Sequence, residues 1–481
     1  MSGVRTLRAR GFVLAAAMLA LVAGTTACGS GAKPGARPDG PNVLLISIDS
    51  LRTDHVGGNG YPRSTTPVLD RLAREGASCP QTSSTTSWTL PAHVSLLTAL
   101  PASVHQVSFG RGLDPARETL AEALGDHGYQ TAGFATGPWM TPAFGMDHGF
   151  DEFENTSAFG AGADDPTRPS SDAHLRSHSE VTSATIARQA TDWLDRNADE
   201  PFFLFLHFWD VHFDYVPPAP FDEMFDPGYR GTVDGRDFAR NPEVHPRMAA
   251  RDLEHVVALY DGEIRHTDRY VGQVVERLGE LGILDDTIVI VTADHGDEFF
   301  EHGEKGHNKS LYDEVILVPL IVRWPERIPA GSIVNEQVRL IDVFPTVLEL
   351  TGVDASEESM GRSLAARLSG GAPEESRPAF LDLFLLPEHQ YQGLRTDRTK
   401  SLARYRGDAT LGAVFDLVTD PQERRPMTPA PGSAAGRAFE GLQSTRTALE
   451  SMRDALPKSA DGKLELSAEA EEQLRRLGYI E

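Results

Sequence analysis

Two apolar runs, far apart in the 481-residue chain, lead into aspartate and histidine residues, which are common metal ligands in proteins. Residues 43–48 read Val-Leu-Leu-Ile-Ser-Ile and are followed by Asp49, whereas residues 287–292 read Thr-Ile-Val-Ile-Val-Thr and are followed after one residue by Asp294 and His295. Short runs rich in β-branched residues predict buried strands of a parallel sheet. Ligands bind beyond the carboxyl ends of such strands, so the two runs predict an α/β fold with a metal site at that edge.

Helical and strand-like segments alternate through most of the chain, which predicts a mostly parallel central sheet flanked by helices. Helices are predicted at residues 67–75, 119–127, 180–197 and 251–281, and further strands at 130–134 and 201–210. After Gly371, short strands predicted at 379–386, 393–405 and 413–417, with a helix at 467–477, indicate a small C-terminal α+β subdomain. The predicted divisions are a signal segment at 1–28, a tether at 29–41, a catalytic domain at 42–371 and the subdomain at 372–481.

The N-terminus is typical of an exported protein. Three arginines precede an apolar stretch at residues 11–24, which is too short to span a bilayer comfortably, and small residues surround Cys28. This predicts a lipoprotein-type signal, with an extracytoplasmic protein attached to the membrane through a lipid on Cys28. An ordinary secretory signal cleaved nearby is the alternative. The other cysteine, Cys79, is predicted to be a small buried hydrophobic residue.

The overall charge excludes one class of partner. The chain carries 70 acidic and 45 basic residues, for a formal net charge of −25. Nucleic-acid binding needs a basic surface, so no nucleic-acid partner is expected. The acidic balance suits a soluble exported domain and leaves the substrate open, because a local positive site fits within an acidic protein.

The candidate catalytic group combines two carboxylates, an imidazole and a hydroxyl. Asp49, Asp294 and His295 are predicted to hold one divalent cation, and the Thr89 hydroxyl completes the set of ligands. Oxygen and nitrogen ligands suit Mn²⁺, Zn²⁺, Mg²⁺ or Ca²⁺. Thr89 lies at a predicted helix start before Pro91, where a hydroxyl can cap the helix or, next to a cation, attack a phosphorus or sulfur ester.

Further polar residues are candidates for contacts with the substrate oxygens. Asp210 and His212 continue a predicted strand and would face one side, where they could bind the substrate oxyanion, hold a second cation or simply pair with each other. With His307, they would complete a two-cation site. The predicted oxyanion contacts or proton donors are His93, His212, His307 and Lys309.

Several segments, in order along the chain, resemble the sulfatase family of the alkaline phosphatase superfamily. They are residues 41–49, 89–98, 149–153, 292–296, 311–320 and 415–423. The resemblance implies an α/β sulfatase-like catalytic domain and a metal-dependent ester hydrolase. It also implies a small-molecule, glycan or lipid-headgroup ester as substrate.

Three positions depart from the family pattern. Thr89 occupies the position that family sulfatases oxidise to formylglycine, and oxidation of its secondary alcohol would give a ketone instead of an aldehyde. His93 replaces the signature arginine, and Asn308 stands where a lysine is usual. These changes resemble the threonine-nucleophile branch of the superfamily, which includes phosphoglycerol and phosphoethanolamine transferases and nucleotide phosphodiesterases.

Phosphate chemistry is favoured over sulfate chemistry by the fate of the intermediate. A formylglycine hydrate releases sulfate by collapsing to the aldehyde, whereas an esterified threonine needs a second attack by water or an acceptor alcohol. The sequence therefore predicts cleavage or transfer of a phosphate ester through Thr89. A sulfatase acting without formylglycine and a catalytically inactive surface binding protein are the alternatives.

Overall fold

The fold is described from a computed structural model. It describes residues 40–108, 110–156, 182–354, 358–373, 375–384, 390–406 and 409–457. The predicted signal segment with Cys28, nearly all of the predicted tether and the helix predicted at 467–477 lie outside these residues. Within the described part of the chain, no helix is long and apolar enough to cross a membrane.

Seventeen strands are found among the described residues. They are β1 Asn42–Ile48, β2 Ala77–Ser78, β3 Thr82–Ser83, β4 Gln130–Ala135, β5 Glu152–Asn155, β6 Phe202–Phe208, β7 Thr287–Ala293, β8 Glu298–Phe299, β9 Lys305–Gly306, β10 Leu317–Val318, β11 Leu320–Arg323, β12 Ser332–Ile333, β13 Val338–Arg339, β14 Ala379–Phe384, β15 Gln390–Arg395, β16 Thr399–Arg406 and β17 Ala409–Asp416.

Ten α-helices accompany these strands in the described ranges. They are α1 Pro67–Glu75, α2 Thr89–Thr98, α3 Ala102–His105, α4 Leu120–Gly125, α5 Ser183–Asn197, α6 Ala250–Glu280, α7 Asp313–Ile316, α8 Val343–Thr351, α9 Ala365–Leu368 and α10 Ala434–Ala455. Short 3₁₀ turns occur at Thr53–His55, Gly57–Asn59, Pro142–Phe144 and Leu340–Asp342.

An eight-stranded sheet forms the centre of the larger domain, in the order β12-β2-β11-β7-β1-β6-β4-β5. The five strands from β7 to β5 run parallel, and β11 is antiparallel to both of its neighbours. Every residue of β1, β6 and β7 is buried, which accounts for their nearly continuous apolar sequences. The predicted α/β fold with a mostly parallel sheet is confirmed.

The carboxyl ends of the central strands lie side by side. Ile48 at the end of β1 pairs with Phe208 of β6 on one side and with Ala293 of β7 on the other. Chain segments therefore leave the sheet at three adjacent points, beginning with Asp49, Trp209 and Asp294. This is the crevice where open α/β sheets bind ligands.

A four-stranded antiparallel sheet, β14-β15-β16-β17, and helix α10 form the C-terminal part. Leu442 and Leu449 of α10 pack in a small apolar cluster with Phe380 and Leu394 of this sheet. Leu100 and Val104 extend the cluster into the larger domain, so the two parts share it. Strands are found in the regions predicted at 379–386 and 413–417, whereas the single strand predicted at 393–405 is divided between β15 and β16, which pair antiparallel on either side of residues 396–398. Helix α10 was not predicted.

One predicted strand ends earlier than its sequence suggests. Strand β6 stops at Phe208, and the following residues form a turn in which the His212 amide donates to the carbonyl of Trp209. Asp210 and His212 therefore do not share the face of a strand, and that prediction is wrong. The apolar run 202–208 ends at the sheet edge, where the chain has to turn away.

Candidate active site

Four side chains that are distant in sequence converge at the carboxyl edge of the sheet. The Thr89 hydroxyl oxygen lies 3.4 Å from Asp49 Oδ2 and 3.2 Å from His295 Nε2. Asp294 Oδ2 lies 3.3 Å from the same imidazole nitrogen. Both carboxylates and the imidazole are completely buried, and Thr89 is 1% exposed. The structure thus brings together the four residues predicted to form the metal and nucleophile site.

The ends of β1 and β7 orient the two carboxylates. Asp49 Oδ1 accepts a hydrogen bond from the Ser50 hydroxyl at 2.7 Å. Asp294 Oδ1 accepts from the backbone amides of Ser50 at 3.1 Å and His295 at 2.9 Å. One oxygen of each carboxylate is therefore held by the protein, and the Oδ2 atoms lie near Thr89 and His295. Ser50, which sequence analysis did not single out, links the two acids.

The Thr89 hydroxyl does not cap helix α2. Thr89 is the first residue of α2, Trp88 occupies the N-cap position, and no side chain makes a cap hydrogen bond there. The hydroxyl donates instead to Asp49. Every residue of α2 is buried, so the helix is fixed on all sides and holds the hydroxyl in place. Of the two roles predicted for this hydroxyl, the geometry favours the chemical one.

His93 lies beneath Thr89 on the next turn of the helix. Its Nδ1 lies 2.8 Å from the Thr89 carbonyl oxygen, and its Nε2 lies 2.8 Å from the Ser47 hydroxyl. Burial lowers the pKa of His93 to about 3, so the ring is neutral. Both nitrogens are occupied by the protein. His93 is therefore a buried support for Thr89 and not the oxyanion contact that was predicted from its place in the signature.

His207 joins the site from β6, although sequence analysis assigned it no role. Its Nδ1 lies 2.7 Å from the Thr136 carbonyl oxygen, and its Nε2 lies 3.4 Å from Asp49 Oδ2 without making a hydrogen bond. Burial lowers its pKa to about 4. A single polar residue within the apolar run 202–208 was the signal that could have identified it.

A second group of candidate ligands shares His295. One atom from each of His295, Asp297 and His307 lies within 4.8 Å of the others. Asp297 accepts from the Tyr215 hydroxyl at 2.5 Å and lies 2.6 Å from His307 Nδ1. Sequence analysis missed Asp297, although it stands only three residues after Asp294. The structure therefore indicates that the ligands of a second cation would be His295, Asp297 and His307.

Asp210 is not available to this second group. Its carboxylate accepts hydrogen bonds from the Thr182 and Ser183 amides at 2.7 and 2.9 Å, at the start of α5. The predicted second cation near Asp210 and His212 is therefore not supported by the geometry. His212 lies apart from Asp210, with its ring stacked on Trp209 at 3.9 Å and 4.9 Å from the His307 ring. The Asp210 carboxylate stabilises a helix start instead.

Lys309 follows His307 on the same loop. Its ammonium group donates to the Lys305 carbonyl at 2.8 Å. Its positive charge also acts on the second group: it partly offsets the rise that burial causes in the pKa of Asp297, and it adds to burial in lowering the pKa of His307. Lys309 thus contributes positive charge next to Asp297, and no contact with Thr89 is found among the described residues.

The electrostatics of the site fit a divalent cation. Burial raises the pKa of Asp49 and the pKa of Asp297 to about 7. Burial also raises the pKa of Asp294. Asp294 Oδ2 and His207 Nε2 are buried without a hydrogen-bond partner. Such atoms are costly unless a charge or a donor satisfies them. Carboxylate and imidazole groups are suitable ligands for Zn²⁺ or Mn²⁺.

Comparison with known families agrees with this geometry. Residues 41–353 match the family model described as Sulfatase, and residues 301–436 match the model described as N-sulphoglucosamine sulphohydrolase, C-terminal. The chain belongs to the sulfatase family. Members of this family are metal-dependent ester hydrolases, and the buried Asp and His groups of this chain could bind the metal.

Relatives and solved structures extend the similarity. An ulvan-active sulfatase of Formosa agariphila is 25% identical over 427 residues, covering 85% of this chain and 80% of the relative. A multifunctional alkaline phosphatase superfamily protein, PehA, of Trinickia caryophylli is 27% identical, covering 82% and 92%. The crystal structure of a phosphonate monoester hydrolase of Agrobacterium radiobacter superposes with a TM-score of 0.68 at 24% identity, covering 86% and 96%. This last similarity shows the fold.

Proposed function

We propose that the protein is a metal-dependent phosphoester hydrolase that uses Thr89 as its nucleophile. The observation that carries the proposal is the position of the Thr89 hydroxyl, 3.4 Å from Asp49 Oδ2 and 3.2 Å from His295 Nε2 in a buried site. A hydroxyl that is fixed at a helix start beside metal ligands, instead of capping the helix, is suited to attack a tetrahedral ester.

Asp49, Asp294 and His295 would hold the cation together with Thr89. When bound, the cation would lower the pKa of the hydroxyl and neutralise charge on the substrate oxygens. The protein itself aligns the carboxylates through Ser50 and supports the helix through His93. These hydrogen bonds keep the ligand oxygens directed at Thr89 before the substrate arrives.

The reaction we propose has two displacements. Thr89 Oγ1 forms a bond to phosphorus while the bond between phosphorus and the leaving oxygen breaks, and the leaving oxygen takes up a proton. The hydroxyl proton is released to solvent water, which also supplies the proton that the leaving oxygen takes up. Water then attacks the phosphothreonine, which releases phosphate and restores the hydroxyl. An acceptor alcohol in place of water would make the protein a transferase.

His212, His307 and Lys309 remain our candidates for contacts with the substrate oxygens. The His307 ring lies 4.3 Å from the His295 ring, and the His212 ring lies 4.9 Å from His307. A row of imidazoles thus leads away from the nucleophile. Burial depresses the pKa of His307 well below its usual value, so we assign it a neutral role as a hydrogen-bonding or metal-binding group.

Sulfate ester hydrolysis is the second candidate. It is favoured by the two family models, both of which are described by sulfate chemistry. It is disfavoured by Thr89, whose secondary alcohol cannot provide the aldehyde that releases sulfate. The two candidates share one site and differ only in the central atom of the substrate.

A panel of nitrophenyl substrates tests the proposal. Phosphate monoesters, phosphate diesters, phosphonates and sulfates are assayed with Mn²⁺, Zn²⁺, Mg²⁺ and Ca²⁺, using wild-type protein, Thr89→Ala and Thr89→Ser. We expect a phosphorus ester to be the best substrate, Thr89→Ala to lose turnover while still binding metal, and Thr89→Ser to keep part of the activity. Thr98→Ala is the matched control, because this threonine lies on the same helix but its hydroxyl contacts only nearby backbone, donating to Val94 O and accepting from the Leu100 amide.

Two outcomes would contradict this proposal. Full activity of Thr89→Ala would remove Thr89 as the nucleophile. Sulfate as the best substrate across all metals would replace phosphoester hydrolysis by the second candidate. Elemental analysis of the same samples counts the ions and so tests whether the group around Asp297 and His307 also fills.

We also propose that the protein is exported and anchored through a lipid on Cys28. The support is the order of basic, apolar and small residues before this cysteine. Membrane fractionation of cells that express wild-type or Cys28→Ala protein tests the anchor. The wild-type protein is expected with the membranes, and an unchanged distribution of the variant would contradict lipid attachment.

A further inference from the structure

A third group of candidate ligands lies outside the catalytic site. His302 follows β8, Glu314 belongs to α7 and Glu423 follows β17, so three separate segments contribute. One ligand atom of each lies within 4.8 Å of the others. The side chains of His302, Glu314 and Glu423 are 8%, 13% and 1% exposed, respectively. This group, which we call the His302 cluster, shares no residue with the two groups around His295.

Each member of the His302 cluster has a buried polar atom without a hydrogen bond. These atoms are His302 Nε2, Glu314 Oε2 and Glu423 Oε1. A buried polar atom left in this state costs about 1–3 kcal/mol. Three such atoms that converge from three segments are satisfied together by one shared cation. The Lys400 ammonium lies 3.1 Å from Glu423 Oε1 as an ion pair, so that oxygen already lies beside one positive charge.

The distances suit a small transition-metal ion. Bonds of about 2.0–2.2 Å in a tetrahedral site place neighbouring ligand atoms about 3.4 Å apart. His302 Nε2 and Glu314 Oε2 lie 3.4 Å apart. The Tyr312 ring stacks on the His302 ring at 3.6 Å with an interplanar angle of 8°, which fixes the direction of its nitrogen atoms. An imidazole ligand favours Zn²⁺ or Mn²⁺ over Ca²⁺.

Glu423 is also held in position. Its Oε2 accepts hydrogen bonds from the Asp313 amide at 2.7 Å and from the Lys400 ammonium at 3.1 Å. Its second oxygen, Oε1, makes no hydrogen bond and lies 3.1 Å from the same ammonium group. Because Asp313 and Glu314 are adjacent at the start of α7, the hydrogen bond that fixes Glu423 also sets its distance from Glu314.

The charge around the His302 cluster leaves room for a dication. Four carboxylates lie in this region, on Glu298, Asp313, Glu314 and Glu423. Three cationic side chains act on them, Arg395 and Lys400 through ion pairs and Arg52 through its charge near Glu314. Burial raises the pKa of Glu423 to about 7, against the attraction of Lys400.

We propose that His302, Glu314 and Glu423 form a structural binding site for a divalent transition-metal ion, Zn²⁺ or Mn²⁺. The ion would join the loop that follows the Asp294–His295 segment to the C-terminal subdomain, which supplies Glu423. Since metal binding to a folded site adds to folding free energy, occupancy stabilises this junction. The site is independent of the proposed catalytic function.

Zinc content measured by plasma mass spectrometry tests the proposal. Wild-type protein, His302→Gln, Glu314→Gln, Asp294→Asn and the double variant Asp294→Asn/His302→Gln are loaded with Zn²⁺ and dialysed. We expect His302→Gln and Glu314→Gln each to lose about one ion per chain relative to wild type. The double variant should hold fewer ions than either single variant, because the two substitutions empty different sites.

His148→Gln is the matched control. His148 also pairs with a glutamate, Glu122, at 3.5 Å, but belongs to none of the ligand groups among the described residues. It should hold as much zinc as the wild type. Wild-type zinc content in both His302→Gln and Glu314→Gln would overturn the proposal. Zinc retained in Asp294→Asn but lost in His302→Gln would contradict the catalytic metal site and support this one.

Thermal unfolding covers the case in which a variant folds poorly. After chelation, Zn²⁺ is added to Asp294→Asn protein, whose His302 cluster is intact. An ion that binds only the folded state raises the unfolding temperature, so we expect a larger rise here than in Asp294→Asn/Glu314→Gln. The absence of a rise in Asp294→Asn would overturn the proposal without reference to enzymatic activity.

Discussion

Two regions of the molecule bury acidic side chains, and they balance the charge in different ways. At the sheet edge, Asp49, Asp294 and Asp297 are buried with imidazoles and hydroxyls around them. At the junction with the C-terminal subdomain, the Asp313 side chain is 15% exposed and pairs with two cationic side chains, Arg395 at 2.9 Å and Lys400 at 2.9 Å. The chain supplies compensating cationic side chains for Asp313 and few for the three acids at the sheet edge.

The pKa values follow this difference. Burial raises the pKa of Asp49 to about 7, because the attraction of His295 only partly offsets it. Burial acts on Asp313 in the same direction, yet Lys400 and Arg395 hold the pKa of Asp313 well below its usual value. Comparison of the two regions indicates that the acids at the sheet edge are suited to binding an added cation. At the junction, Arg395 and Lys400 already balance the charge of Asp313.

Asp294→Asn should have the largest effect on activity and little effect on folding. It removes a proposed metal ligand, so we expect turnover to fall at least about 10³-fold. In chelator the variant should be as stable as wild type or more stable, because it removes a buried negative charge whose Oδ2 atom has no hydrogen-bond partner, while the amide oxygen can still accept from the Ser50 and His295 amides. Rates with saturating metal and urea unfolding in chelator measure the two effects. A large loss of stability in chelator would mean that Asp294 is already balanced by the chain.

Lys400→Met should show the opposite behaviour. Removal of one cation from the buried junction leaves Glu423 without its charged partner and Asp313 with only Arg395. We expect a loss of about 3–5 kcal/mol in the free energy of unfolding. Urea unfolding measures it. The control is Arg188→Met, whose ion pair with Asp192 is exposed and should contribute about 0–0.5 kcal/mol.

If Lys400→Met were as stable as the control, the contrast between the two regions would fail. The junction would then resemble the sheet edge, with acids whose charge the chain does not balance. The metal content of this variant should then also be measured, because Glu423 belongs both to the junction and to the His302 cluster.

Asp382 should make a smaller, pH-dependent contribution to the free energy of unfolding. Burial raises its pKa from 3.8 to about 6, against hydrogen bonds from Gln392 and the Ser103 amide. The folded protein therefore keeps a proton that the unfolded chain loses above about pH 4. Its contribution to stability is largest below pH 4 and falls as the pH rises to about 6, by roughly 2–3 kcal/mol.

Urea unfolding of wild type and Asp382→Asn between these two pH values measures this contribution. The difference in unfolding free energy between the two proteins should change with pH, with wild type losing more stability as the pH rises. A constant difference would show that Asp382 ionises normally. Asp382 would then belong with Asp313, as an acid whose charge the protein balances.

The position of a site residue could be predicted from the sequence where the residue directly follows a buried strand. Asp49, Asp294 and His295 come within two residues of the ends of β1 and β7, so the sheet fixes their relative positions. Thr89 was placed by its helix start and by family resemblance. For these residues, local sequence and parallel pairing are enough to predict convergence at the sheet edge.

The remaining site residues depend on turns and packing that the sequence pattern does not encode. Asp210 appeared to continue a strand, but the chain turns after Phe208 and the carboxylate binds the start of α5. Asp297 is identified only through its contacts with Tyr215 and His307, which come from two other loops. Such contacts between loops carry no periodic signal.

Helix α10 was missed for a related reason. Over its length from Ala434 to Ala455, only Ala435, Gly436, Leu442 and Leu449 are buried. So few buried positions, two of them small, leave a weak apolar stripe. The packing surface on the antiparallel sheet, which includes Leu394 and Ala403, stabilises the helix and becomes visible only in the folded structure.

The stereochemistry of phosphoryl transfer tests the central claim most directly. A phosphorothioate monoester made chiral at phosphorus with two oxygen isotopes is hydrolysed by wild-type protein in water that carries the third isotope, and the configuration of the released thiophosphate is determined. Attack by Thr89 followed by attack of water comprises two in-line displacements, so the account predicts retention of configuration. Inversion would show a single direct attack by water and would contradict the role of Thr89 as nucleophile.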